Sequence, residues 1–352
     1  MERLSLRIER FIRSGLGEFE PLALELFAYQ FERNAPYQAY CRSLNQTPEN
    51  ITQWQSIPAV PIRAFKSAEL ATFNTGHSAA IFESSGTTQQ ISSRHYLKTL
   101  SFYEEALKKS FQLHVGLGPE TLDRRQLFIL TPPPGEVPRS SLTWMFEVVK
   151  NKWGAEGSGY FVQRGQLDTP RLAFLLAKAV QKGQAVLLLG TTLAFLKLFE
   201  DLEAAGKTFT LPTGSQLLDT GGMKTQKREV TRAQFISSVQ RYLGIPEMQC
   251  INEYGMCELS SQCYGVGKSS WLQGPPWMRT VVIDGDSGDP VAEGKEGLLR
   301  HFDLANVDSV LAIQTEDRGR AEAGGFHFLG RAANADLKGC SLAADSFFAQ
   351  SK

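Results

Sequence analysis

Thr169-Pro-Arg-Leu-Ala-Phe-Leu-Leu-Ala-Lys-Ala-Val-Gln-Lys182, then Ala185-Val-Leu-Leu-Leu189, then Ser215-Gln-Leu-Leu-Asp219 stopped by Gly221-Gly222: this stretch decides the fold. Its first segment reads as a helix. The other two are short apolar runs bounded by turn residues, the pattern of strands buried on both faces. Upstream, Gln126-Leu-Phe-Ile-Leu-Thr131 reads the same way and ends at three prolines, Pro132 to Pro134. Strands alternating with helices predict an α/β fold with largely parallel sheets.

Working outward, residues 101–113 show helical periodicity, and Ala79-Ala-Ile-Phe82 reads as a short strand. Residues 2–45 read as helical, with Leu22, Leu24, Leu26, Phe27 and Phe31 near a 3.6 period. Ile57-Pro-Ala-Val-Pro-Ile62 is extended, because its prolines exclude a helix interior. From Trp277 the texture changes to short strands and tight turns, as in Ile283-Asp-Gly-Asp-Ser-Gly-Asp289 and Glu296-Gly-Leu-Leu-Arg300. The expected organisation is an α/β core over 1–276 with an N-terminal helical segment, a small β-rich lobe over 277–331, and a short tail over 332–352.

A chain of 352 residues, 42% hydrophobic and 21% charged, has the composition of a globular protein rather than a disordered one. With 37 basic and 37 acidic side chains, no net field steers nucleic acid or an acidic membrane. The N-terminus lacks the apolar core of a signal peptide. The most apolar stretch, 185–199, carries Lys197 and is too short to span a bilayer. A cytoplasmic protein without a membrane span is expected. The five cysteines (Cys41, Cys250, Cys257, Cys263, Cys340) contain no C-x-x-C pair, which argues against a disulfide scaffold or a zinc knuckle.

Four local patterns are candidates for chemistry. Ser84-Ser85-Gly86-Thr87-Thr88 follows a strand and offers N–H and O–H donors to an anion; its residues also suit a capped helix start. Gly267-Lys268-Ser269 is rejected as a P-loop, because Gln262 stands where that pattern needs glycine. Asn252-Glu253-Tyr254-Gly255-Met256-Cys257-Glu258 places an aromatic and a glycine ahead of an acid, which suits either a nucleotide site with Mg²⁺ on Glu258 or a turn carrying a surface acid. Thr315-Glu316-Asp317-Arg318-Gly319-Arg320 precedes a hairpin-like Gly324-Gly-Phe-His-Phe-Leu-Gly-Arg331. There an acid at a strand end can accept two ribose hydroxyls with an arginine nearby, or the group is a surface charge cluster.

Taken in order, these pieces resemble the adenylate-forming superfamily of acyl-CoA synthetases, luciferases and peptide-synthetase adenylation domains. Within it the likeness is to the acyl-protein synthetase family, the LuxE type. It is carried by Phe82-Glu-Ser-Ser-Gly-Thr-Thr88, Ser93-Arg94-His95, Leu329-Gly-Arg331 and Lys338-Gly-Cys-Ser341, and it extends from Ile57 to Ser341. The resemblance implies the large-domain fold of adenylate-forming enzymes. It also implies that Ser84, Ser85, Gly86, Thr87 and Thr88 clasp the β- and γ-phosphates of ATP, and that Gly221 and Gly222 lie against adenine. Tyr254 would border the acyl-adenylate, Glu258 would bind Mg²⁺, and Asp317 would hold the ribose beside Arg331. Gln89 and Gln90 replace the usual glycine and lysine, which leaves Arg94 as the nearest cation to the phosphates, and Cys257 replaces the usual threonine. With 21 residues after Arg331, the mobile C-terminal lid of acyl-CoA synthetases is expected to be absent.

A tail cysteine takes the acyl group as a thioester in LuxE-type proteins, and Cys340 is its counterpart. Lys338 is placed to favour the thiolate, and Gly339 offers a hinge. The implied activity is ATP-dependent activation of a fatty acid to acyl-AMP, transfer to Cys340, and delivery to a partner reductase. Two rivals stand beside it: transfer to CoA or a carrier-protein thiol, and a non-catalytic nucleotide- or acyl-binding homologue. Phenylalanine is plentiful (22 residues), but in an α/β protein that serves the core and does not identify the acid.

Overall fold

The computed structural model describes residues 2–84, 91–116, 124–221 and 230–332. They divide into two compact units, one drawn from 1–110, 256–262 and 272–352, the other from 111–255 and 263–271.

The second unit contains the alternating stretch that fixes the fold. Its sheet runs Cys263–Val266, Cys250–Tyr254, Gln216–Thr220, Val186–Thr191, Gln126–Leu130, Gly159–Tyr160. The pairs are parallel except the first, which is antiparallel. The predicted helix over 169–182 is found as Thr169–Lys182. Asp168 caps it by accepting from Arg171 N at 3.1 Å, and Gly183 ends it in the left-handed region at φ 62°. Val186 to Leu189 are fully buried. Val186 and Leu188 pack in one cluster with Leu172, Leu176, Phe195, Phe199 and Phe235, and the intervening Leu187 and Leu189 are buried as well, so the strand reads as a continuous apolar run rather than an alternating one. Each such side chain contributes roughly 1.5–3 kcal/mol by leaving water.

In the first unit an antiparallel sheet joins Met278–Ile283, Glu296–Asp303, Ala312–Glu322 and Gly325–Arg331, with Val60–Pro61 added in parallel against Ala312–Glu322. The N-terminal segment forms three helices, Glu2–Ser14, Phe19–Arg33 and Ala35–Ser43. These share a unit with the strands beyond 277 because Gln30, buried in the second helix, ties it to them. Its Nε2 donates to Asn306 O at 2.7 Å and its Oε1 accepts from Leu311 N at 2.8 Å. Trp54 packs edge-on against Phe302, with 5.0 Å between ring centroids.

Candidate functional site

Within the first unit, Ala80–Glu83 and Arg94–Leu97 form an antiparallel hairpin that pairs Glu83 with Arg94 and Phe82 with His95. Of the hydroxyl-rich stretch only Ser84 is among the described residues. Ser84 sits at the hairpin's base, where its Oγ accepts from Ser93 N at 3.0 Å and its N donates to Ser93 O at 3.2 Å. Its hydroxyl therefore pins the start of that stretch. Arg94 is half exposed, with Nε 3.4 Å from Glu83 Oε1.

The same hairpin is tied to the turn carrying Glu258. His95 is buried, and its Nδ1 lies 2.8 Å from Cys257 O. Only a protonated ring nitrogen can serve a carbonyl acceptor, so Nδ1 carries the hydrogen. Burial lowers the His95 pKa to about 4, which keeps the ring neutral. Glu258 is buried (3% exposed), which removes the surface-acid alternative for this heptad, and Asn252 to Tyr254 is strand rather than turn. Cys257 Sγ donates to Glu258 Oε2 at 3.1 Å. Burial first, then the negative charges of Glu258 and Glu83, push the Cys257 thiol well above its ordinary pKa.

Asp317 and Arg331 face each other in register across the pair Ala312–Glu322 and Gly325–Arg331, with Arg331 Nε 3.7 Å from Asp317 Oδ1. Asp317 is not at a strand end as the sequence suggested. It lies mid-strand, at an irregularity where the register against Glu296–Asp303 jumps between Leu298 and Arg300. Thr315 holds that irregularity, its Oγ1 donating to Leu299 O at 2.7 Å and accepting from Asp317 N at 3.1 Å. The Asp317 side chain at this irregularity is mostly buried, 14% exposed.

In the second unit, Gly221 and Tyr254 are the next residues along from the register pair Thr220–Glu253, at the carboxyl ends of adjacent parallel strands. Gly221 has φ +94°, which favours glycine, and Tyr254 is buried. Ser85, Gly86, Thr87, Thr88, Gly222 and Cys340 lie outside the described residues. Lys268 pairs with Glu247, Nζ to Oε2 2.9 Å, a structural use for the rejected P-loop look-alike.

The sequence reading missed a buried polar network in the second unit. Asp219 is fully buried and accepts from Thr192 Oγ1 at 2.9 Å, Asn252 Nδ2 at 3.2 Å and Arg232 Nη1 at 2.6 Å. On the neighbouring register pair, Thr220 donates its hydroxyl to Glu253, whose pKa burial raises to about 7. An acid inside an apolar strand was the available signal for both Asp219 and Glu253. Among the described residues no three His, Cys, Asp or Glu gather as a metal cage, and no helix is long and apolar enough to cross a membrane.

The chain is 20% identical over 314 residues to the long-chain-fatty-acid–luciferin-component ligase of Aliivibrio fischeri, covering 85% of this chain and 78% of that protein. Among solved structures it superposes on ATP-bound MatB from Rhodopseudomonas palustris with TM-score 0.52 and 16% identity, over 74% of this chain. That match covers 49% of MatB, so the chain spans about half the length of this relative. It also superposes on 2-hydroxyisobutyryl-CoA ligase in complex with 2-HIB-AMP and CoA, with TM-score 0.64 and 13% identity, over 95% of this chain and 69% of that one. These likenesses establish a shared fold. The model of the family described as acyl-protein synthetase, LuxE, matches residues 18–349, and the chain belongs to that family.

Proposed function

We propose that this protein activates a carboxylic acid, a fatty acid by its family, with ATP and then carries the acyl group on Cys340. The observation that supports this best is the buried Glu258 on a turn hydrogen-bonded, through Cys257 and His95, to the hairpin that carries Ser84. The MatB relative is described as ATP-bound and the 2-hydroxyisobutyryl-CoA ligase as holding an acyl-AMP, which fits a nucleotide at this fold.

In the first half-reaction a carboxylate oxygen attacks the α-phosphorus of ATP, and the bond to pyrophosphate breaks. The 84–88 loop receives the β- and γ-phosphates, with Arg94 the nearby cation. Gly221 and Gly222 lie against adenine, Tyr254 borders the mixed anhydride, and Asp317 accepts the ribose hydroxyls beside Arg331. Glu258 fits magnesium, which takes one or two carboxylates plus phosphate oxygens, and the ion would supply charge neutralisation there. Cys257 stays a thiol and donates to Glu258, so it holds the carboxylate rather than competing as a soft ligand. Positioning and charge neutralisation carry most of this step.

In the second half-reaction the Cys340 sulfur attacks the acyl carbon, the carbon–oxygen bond to AMP breaks, and the thiol proton is released to solvent. The thioester then passes to a partner, a reductase in this reading. Pyrophosphate release, measured across a panel of fatty and aromatic acids, tests the first half: it should depend on the acid and drop sharply in Glu258→Gln. Release that Glu258→Gln leaves intact would remove the residue from this role, and no release with any acid would favour a binding protein.

A further inference from the structure

Three main-chain groups of the segment that begins at Glu258 are held by buried side chains that lie elsewhere in the same unit. Asp303, at the end of the strand Glu296–Asp303, accepts from Ser260 N at 3.0 Å and Ser261 N at 2.8 Å through Oδ2, and from Ser261 Oγ at 2.8 Å and Ala305 N at 3.0 Å through Oδ1. Asn306 donates from Nδ2 to Glu258 O at 3.0 Å and accepts from Ser260 N at 2.9 Å through Oδ1. Asp303 is fully buried and Asn306 nearly so. Both are themselves fixed: Asp303 N donates to Leu311 O at 2.8 Å, and Asn306 O accepts from Gln30. Trp277 Nε1 donates to Ser261 Oγ at 2.9 Å, which orients the hydroxyl that Asp303 receives.

A buried carboxylate is costly to desolvate, and a simple turn does not require one. Here its two oxygens take four donors, three of them from residues two and three places beyond Glu258. We infer that Asp303 and Asn306 are positioning residues that fix the 258–261 main chain and so present the Glu258 carboxylate in one orientation. The inference rests on the reading of Glu258 as the magnesium ligand. Outer partners of a metal ligand matter in this way because a ligand that must be ordered on binding gives up affinity.

Asp303→Asn tests it with two readouts. In the protein without ligands, amide hydrogen exchange at Ser260 and Ser261 should rise about 10-fold or more while the strands of the same sheet keep their protection. The magnesium concentration that half-saturates acid-dependent pyrophosphate release should rise by about 10-fold to 100-fold, with the rate at saturating magnesium largely kept. Should Asp303→Asn not fold, Ser261→Ala removes the side-chain bond to Asp303 and carries the same two readouts. Unchanged exchange at Ser260 and Ser261 overturns the inference. A magnesium requirement raised by Glu258→Gln but not by Asp303→Asn overturns the inference alone. One untouched by Glu258→Gln overturns the metal-ligand reading and the inference with it.

Discussion

His95 and Cys257, 162 positions apart in sequence, meet through a 2.8 Å contact between the imidazole Nδ1 and the Cys257 carbonyl oxygen. That contact couples the hairpin that carries Ser84 to the turn of Glu258 with a ring that burial keeps neutral. A neutral buried histidine makes acid the natural way to break the link.

Acid should therefore destabilise the protein. Burial lowers His95 to about 4 and His301 to about 3, both from the usual 6.5. Between the folded and unfolded values the unfolded chain holds protons that the native state does not. These two groups' stability is thus fully present above pH 6.5 and is lost as pH falls toward 4 and then 3. They contribute on the order of 3 kcal/mol for His95 and about 5 kcal/mol for His301. His301→Gln should flatten the slope of unfolding free energy below pH 6.5 in denaturant titrations; an unchanged slope would contradict the assignment.

Glu253 should behave in the opposite sense. Burial, with a smaller contribution from the Asp219 charge, raises its pKa to about 7, so the native state keeps a proton that the unfolded chain releases above about 4.5. The associated stability is complete at low pH and is lost as pH rises through 7, a change on the order of 3 kcal/mol. Glu253→Gln keeps an acceptor for the Thr220 hydroxyl and carries no charge. Relative to the wild type it should be more stable at pH 8 than at pH 5, measured by chemical unfolding at both.

Arg331 and Asp317 separate binding from stability. Their 3.7 Å pair has Arg331 almost fully exposed, so it adds little to folding, roughly 0–1 kcal/mol. Arg331→Ala should leave the melting temperature nearly unchanged while weakening ATP use. Asp317→Ala should raise the KM for ATP more than Arg331→Ala does, since the Asp317 side chain is mostly buried and held in place while Arg331 is almost fully exposed. Equal and large losses of thermal stability in both would assign the pair to the scaffold.

Gly297 tests the packing of the antiparallel sheet. A Cβ there would lie 2.1 Å from Ile283 O, a backbone atom that cannot swing away. Gly297→Ala should cost about 1–3 kcal/mol or more in unfolding free energy, and a neutral result would contradict this account of the strand pairing.

Local pattern made much of the fold readable. The apolar runs at 126–131 and 185–189 are strands buried on both faces, 215–219 joins them with its one acid, Asp219, partnered by Thr192, Asn252 and Arg232, and 169–182 carries its own cap and stop. The grouping of the N-terminal helices with the strands beyond 277 was not readable. It rests on Gln30 reaching residues 306 and 311, and a lone glutamine in a helix gives no sign of such partners. The motif residues were legible as a series, whereas the groups that hold them were not. Asp303 and Asn306 sit in an ordinary-looking run, and their meaning comes from the main-chain donors and acceptors of 258–261. Asp317 was legible as an acid near an arginine, but the strand irregularity it sits on depends on Thr315 of the same strand reaching Leu299 on the neighbouring one.

The central claim is that the acyl group travels from AMP to Cys340. Intact-protein mass spectrometry after incubation with ATP, magnesium and a panel of fatty and aromatic acids tests it most directly. The account predicts a mass gain of one acyl group with some acid, removed by hydroxylamine and absent in Cys340→Ala, while that variant still releases pyrophosphate. Pyrophosphate release by the wild type without any acyl-protein would contradict it and place the acceptor thiol on another molecule.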